Sequence, residues 1–210
     1  MNKLQEKDKN IMVKWLDQFT DTFIATKTEQ IDIYIEKIKE QNPNISQINL
    51  AKKIRNKKSL NNGLVGAVTS IGGIITLPVT VPADLIATWK IQIALIYAIA
   101  KIFGYSDNDE YLKTDIYLIL AGKKAYEAFN EIGINKGDKI TKKALKKHLF
   151  REISGRILRI IPQKIIARAG EKSVSHFMKL VPLAGAPFGF AFDYIETRSI
   201  GSNAIKYYSE

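Results

Sequence analysis

The sequence predicts an all-α protein: a single multi-helix domain containing apolar helical hairpins rich in glycine and proline. Three observations lead there. Apolar residues recur at three- and four-residue spacing nearly throughout, the period of a helix with a buried face. Glycine, proline and asparagine fall mostly between these periodic segments. Finally, 210 residues, 46% of them hydrophobic, are enough to bury one full core without a disulfide or metal staple.

From the N-terminus, KNIMVKWLDQFTDTFIATK places Ile11, Trp15, Phe19 and Phe23 on one stripe, with Met12 and Leu16 beside it. In EQIDIYIEKIKEQNP, Ile31, Ile33 and Ile35 alternate as in a strand, but the Glu/Lys spacing and the stop at Pro43 favour helix. SQINLAKKIRNKKS follows, with Ser46 as N-cap and a basic outer face. Residues 1–50 therefore read as an N-terminal helical extension and 51–210 as the main helical domain.

In the centre, LNNGLVGAVTSIGG reads as a short helix of small residues, including Gly66, between turns at Asn61–Gly63 and Gly72–Gly73. LPVTVPAD reads as a connector, because Pro78 and Pro82 prevent a continuous helix through them. Pro82 suits the first turn of the next helix, and Asp84 suits its positive end. That helix runs to about Gly104 and is apolar on most sides. One or two more helices follow in YSDNDEYLKTDIYLILAGKKAYEAFNEIG.

Residues 136–180 alternate short helical pieces with breakers at Gly137, Gly155, Pro162 and Gly170. In KITKKALKKHLFREI, Ile140, Ala144, Leu145, Leu149 and Ile153 line one side, while Lys142, Lys143, Lys146, Lys147 and Arg151 cover the other. This is a basic amphipathic helix, and Arg156 and Arg159 extend its charge. The closing segment VPLAGAPFGFAFD reads as a second apolar bend, with Pro182, Gly185 and Gly189, leading into a C-terminal helix. It echoes the first bend: aligning Asp84 with Asp193 also aligns Thr88 with Thr197. Each threonine stands one turn after its aspartate, on the same face.

Charge is partitioned along the chain. The net +11 arises mainly in residues 123–180, which carry fifteen Lys/Arg against five Asp/Glu. Residues 63–122, by contrast, carry three against five. Such a basic block suits an anionic partner: nucleic acid, acidic phospholipid or an acidic protein face. It equally suits a solvated surface. Nucleic acid is disfavoured, because residues 136–172 hold Phe150 as their only aromatic and show no helix-turn-helix pattern.

Known chemistry is largely excluded. Without cysteine there is no thiol nucleophile and no cysteine-based zinc site, and His148 and His176 are too far apart in sequence to suggest a metal cluster. The glycines at 63, 66, 72 and 73 do not form G-x-G-x-x-G, and neither a phosphate loop nor a G-x-S-x-G elbow is present. DNDE at 107–110 lacks the glycine of a calcium loop, so Asp107 reads as a helix cap. No cofactor is implied. The N-terminal stretch has no secretory h-region, which makes the cytoplasm the expected compartment.

The segments GLVGAVTSIGGIITLPVTVPADLIATWKIQIALIYAIAKIFGY, AGKKAYEAFNEIGINKGDKI and GEKSVSHFMKLVPLAGAPFGFAFDYIETRSIGSNAIKYY together resemble the EcsC protein family, over roughly residues 50–208. The resemblance implies a helical, membrane-associated protein. It also implies a membrane transporter as a candidate partner, since the family is named for a component encoded beside a bacterial ABC transporter. It supplies no catalytic residues.

Leu64 to Ala83 contain no charge, and their number meets the roughly 20 residues a helix needs to cross a bilayer. Gly72, Gly73, Pro78 and Pro82 interrupt that run, and Asp84 and Lys90 follow it. Core packing, reversible lipid contact and a span therefore stand as alternatives, in that order. Asp84 and Asp193, set in apolar sequence, need a cap or a cation such as Lys90 or Arg198. The leading expectation is a non-enzymatic, cytoplasmic protein peripheral to anionic membrane. The alternatives are an enzyme or carrier whose apolar cavity is lined by Asp84, Thr88, Asp193 and Thr197, and an interaction module for a transporter or nucleic acid.

Overall fold

A computed structural model describes residues 3–56, 83–106, 111–122 and 182–209, with the side chains of 13–56, 88–106, 111–122 and 195–209. Among them are five helices: α1 (Lys3–Glu40), α2 (Gln47–Arg55), α3 (Ala83–Ile102), α4 (Leu112–Ala121) and α5 (Pro182–Ser209). The all-α expectation holds for these residues.

The stripe read from the first segment is the buried face of α1, where Trp15, Leu16, Phe19 and Phe23 are all in the core. The alternating isoleucines also resolve as helix. Ile31 and Ile35 are buried while Ile33 is 62% exposed, whereas a strand would put all three on one side. α1 is one uninterrupted helix of 38 residues that closes three residues before Pro43. Ser46 caps α2 as expected, its Oγ accepting from the Asn49 amide at 3.3 Å.

α3 lies at the centre and packs against each of the other four helices. Every residue from Gln92 to Ala100 is buried, the behaviour expected of a helix that is apolar all round. Its end is set by Gly104, whose φ of +88° favours glycine. There the Tyr105 amide bonds Ala100 O at 3.1 Å and the Gly104 amide bonds Lys101 O at 3.0 Å, a Schellman closure.

Side-chain contacts give the directions of the helices. α1 and α3 run parallel, because Trp15 stacks on Trp89, Phe23 meets Tyr97 edge-on, and Asp32 pairs with Lys101. α5 also runs parallel to α3, with Gly201 against Leu95 and Tyr208 against Tyr105. α2 runs the other way, from Gln47 beside Ile102 O to Arg55 beside Gly201. Leu95 and Tyr97 are two residues apart, so they point about 200° apart around α3. α1 therefore lies on one side of α3, and α2 and α5 on the other.

One expectation is corrected. The backbone is helical from Pro182 onward, so Pro182, Gly185 and Gly189 belong to the opening turns of α5 and form no bend ahead of it. Proline at the first helical position costs no hydrogen bond, since that amide has no intrahelical acceptor. Gly66, Gly72, Gly73, Pro78 and Pro82, the other half of the expected hairpin, lie outside the described residues, as does Asp107.

Candidate functional site

Four-residue spacing places Asp84, Thr88 and Gln92 along one side of α3, and Asp193, Thr197 and Gly201 along one side of α5. Gly201 turns that side of α5 toward α3: a Cβ there would lie 2.9 Å from Leu95 Cδ2. Leu95 is itself one turn from Gln92 and two from Thr88, which puts the α3 positions toward α5. The Leu95–Gly201 contact stands three residues, about one turn, from the register that aligns Asp84 with Asp193. α3 and α5 therefore form a parallel helix seam in which Leu95 lies against Gly201.

Thr88 is half-buried in this seam and Thr197 is buried. The sequence reading missed Gln92, which is 2% exposed and whose Nε2 has no hydrogen-bond partner. A buried amide donor without an acceptor is costly, so this nitrogen is the seam's most conspicuous polar feature. The side chains of Asp84 and Asp193 lie outside the description. Lys90, the cation expected to serve Asp84, places its ammonium 5.5 Å from the centre of the Phe19 ring. Burial lowers its pKa. Arg198, the other expected cation, is exposed on the outside of α5.

A second polar system, also missed from sequence, is built on α4. Lys113 Nζ sits between two carboxylates of α1, 2.7 Å from Asp17 Oδ1 and 2.6 Å from Asp21 Oδ1. One turn on, Tyr117 donates to Asp17 Oδ1 at 2.9 Å. Burial holds the Tyr117 hydroxyl well above its ordinary pKa; the Thr20 hydrogen bond opposes that shift and the Asp17 charge adds to it. From the opposite side of α4, the buried Asp115 accepts from Tyr207 of α5 at 2.6 Å. α4 is thus a polar strut between α1 and α5. Tyr117 of α4 and Tyr207 of α5 each donate to a carboxylate, and the arrangement joins the three helices.

The outer face of α1 carries both signs of charge, with a slight excess of acid. A groove of about 860 Å³ runs along it, lined by Glu29, Asp32, Ile33, Glu36, Lys37 and Glu40 among others. Asp32 pairs with Lys101 at 3.1 Å and Glu36 with Lys39 at 2.6 Å. The basic residues picked out from sequence, Lys142, Lys143, Lys146, Lys147, Arg151, Arg156 and Arg159, lie outside the described residues. Among the described residues no helix is long and apolar enough to cross a membrane.

A family model for the EcsC protein family matches residues 2–210. The chain belongs to the EcsC protein family. The match takes in α1 as well as the segments of residues 50–208 that resemble the family, and α1 shares one apolar core with α3, α4 and α5 of this EcsC protein. No curated protein and no solved structure matches the chain.

Proposed function

We propose that this EcsC family member is a non-enzymatic, cytoplasmic protein that associates peripherally with anionic membrane. The observation that carries the reading is the charge partition: fifteen Lys/Arg against five Asp/Glu in residues 123–180 of a chain whose net charge is +11. A basic amphipathic segment gains on the order of 1 kcal/mol per cation near an acidic lipid surface. The described core supports surface contact rather than a span, because the apolar length of α3 is used against four other helices. Flotation with vesicles of graded phosphatidylserine content tests the reading. Binding is expected to rise with anionic lipid and fall with salt, and absence of binding at low salt refutes it.

A second reading rests on the Gln92 amide. A ligand carrying a carbonyl or carboxylate acceptor, held in the α3–α5 seam near Thr88 and Thr197, would satisfy that donor. Such a carrier would copurify with a lipid in stoichiometric amount. Mass spectrometry of the protein extracted from its source reads this directly, and a lipid-free spectrum contradicts it.

A further inference from the structure

The folded core has two faces of different charge on opposite sides of α3. On the α1 side, Glu29, Glu36 and Glu40 are exposed, with Asp32 beside them, and the exposed Lys37 and Lys39 offset part of that charge. On the other side, α2 and α5 lie next to each other, joined where Arg55 Nη1 donates to Ser202 Oγ at 3.0 Å. The outer side of α2 carries Ile48, 44% exposed, with Lys52 one turn on. The outer side of α5 carries Ile195, 65% exposed, with Arg198 and Lys206. α2 contains no acid. Among the described side chains of α5 the one acid is Glu196, half-buried on the flank that leads, three turns later, to Tyr207 and α4.

We infer that the α2–α5 face is the surface this protein lays against an acidic phospholipid bilayer, with Ile48 and Ile195 entering the interface and Lys52, Arg198 and Lys206 at headgroup level. The inference rests on the membrane reading above and gives it an orientation. Charge complementarity selects this occupant: among the described side chains the face carries Lys52, Arg198 and Lys206 and no exposed acid, and Ile48 and Ile195 each have a cation one turn on, Lys52 and Arg198. On the α1 face Lys37, Lys39 and Lys101 offset most of the charge of Glu29, Asp32, Glu36 and Glu40, so that face lacks the same attraction and the molecule is oriented as well as attracted. Apolar side chains among surface cations are the combination that binds interfaces by burial and electrostatics together.

The cysteine-free chain makes the test direct, because one introduced thiol gives one label. Ile48→Cys, Ile195→Cys and Glu36→Cys are each labelled with an environment-sensitive fluorophore and mixed with phosphatidylcholine vesicles with or without phosphatidylserine. The expected result is a blue shift at 48 and 195 on anionic vesicles and none at 36. In unlabelled protein, the triple change K52Q/R198Q/K206Q is expected to weaken vesicle binding by about a hundredfold. Circular dichroism confirms that these exposed substitutions leave the fold intact. If the vesicles bind while 48 and 195 stay silent, or while 36 responds, the assigned face is wrong and the membrane reading stands. If no labelled protein binds anionic vesicles at low salt, the membrane reading fails and this face with it. A shift at 48 and 195 on duplex DNA but not on vesicles overturns the choice of partner.

Discussion

α1 and α3 lie side by side in parallel, yet they meet their surroundings differently. α1 buries one stripe, Trp15, Leu16, Phe19, Phe23, Ile31, Ile35 and Ile38, and gives its other side to charge. α3 buries every residue from Gln92 to Ala100. The difference shows what an apolar segment signifies in this chain. α3 is apolar all round because helices pack around it, and protein contacts rather than lipid account for its composition. α1 needs apolar residues only where it touches that centre.

The largest effect that sharpens this contrast is in α3. Ile96→Ala removes a fully buried side chain and is expected to cost about 2–5 kcal/mol, whereas Ile33→Ala on the exposed face of α1 should change stability by less than about 0.5 kcal/mol. Urea unfolding measures both, and equal small effects would mean that α3 is not the core. Next comes the strut to α5. Tyr207→Phe deletes a 2.6 Å hydrogen bond to the buried Asp115 carboxylate and should cost about 1.5–3 kcal/mol in the same assay.

Gly201→Ala probes the α3–α5 seam. The added methyl would stand 2.6 Å from Arg55 Cγ and 2.9 Å from Leu95 Cδ2, so the helices must part or Arg55 must move, at about 1–2 kcal/mol. A neutral or stabilising result would show that the seam is looser than described.

The smallest effects are pH-dependent. The Tyr117 pKa is raised on folding, so above about pH 10 the folded state keeps a proton that the unfolded state releases, and stability falls as pH rises. The Lys90 pKa is lowered, so between its folded value and 10.5 the unfolded state holds the extra proton and stability rises with pH. Tyr117→Phe should therefore flatten the alkaline loss, and Lys90→Met should steepen it. Denaturation midpoints across pH 9 to about 11 read both signs.

Much of the fold was legible in the sequence, for identifiable reasons. The stripe through Trp15, Phe19 and Phe23, the Ser46 cap and the Gly104 stop depend on local spacing and local backbone geometry, and each stands where the pattern places it. The echoing stretches Asp84–Thr88 and Asp193–Thr197 fall on α3 and α5, two helices that pack against each other. The first turns of α5 were misread because glycine and proline were weighed as breakers, while Pro182 occupies the one helical position it suits. The polar strut was hidden because its partners are far apart in the chain: Asp17 with Tyr117, and Asp115 with Tyr207. Gln92 was passed over for a different reason: one amide among isoleucines and alanines leaves the apolar period of α3 undisturbed.

The central claim is that α3 belongs to the protein core whether or not the molecule is on a membrane. Amide hydrogen exchange, followed by mass spectrometry with and without phosphatidylserine vesicles, tests it most directly. The expected result is slowest exchange across residues 92–100, unchanged when vesicles are added. Loss of that protection on anionic vesicles would mean that α3 leaves the core to meet lipid, and would contradict the claim.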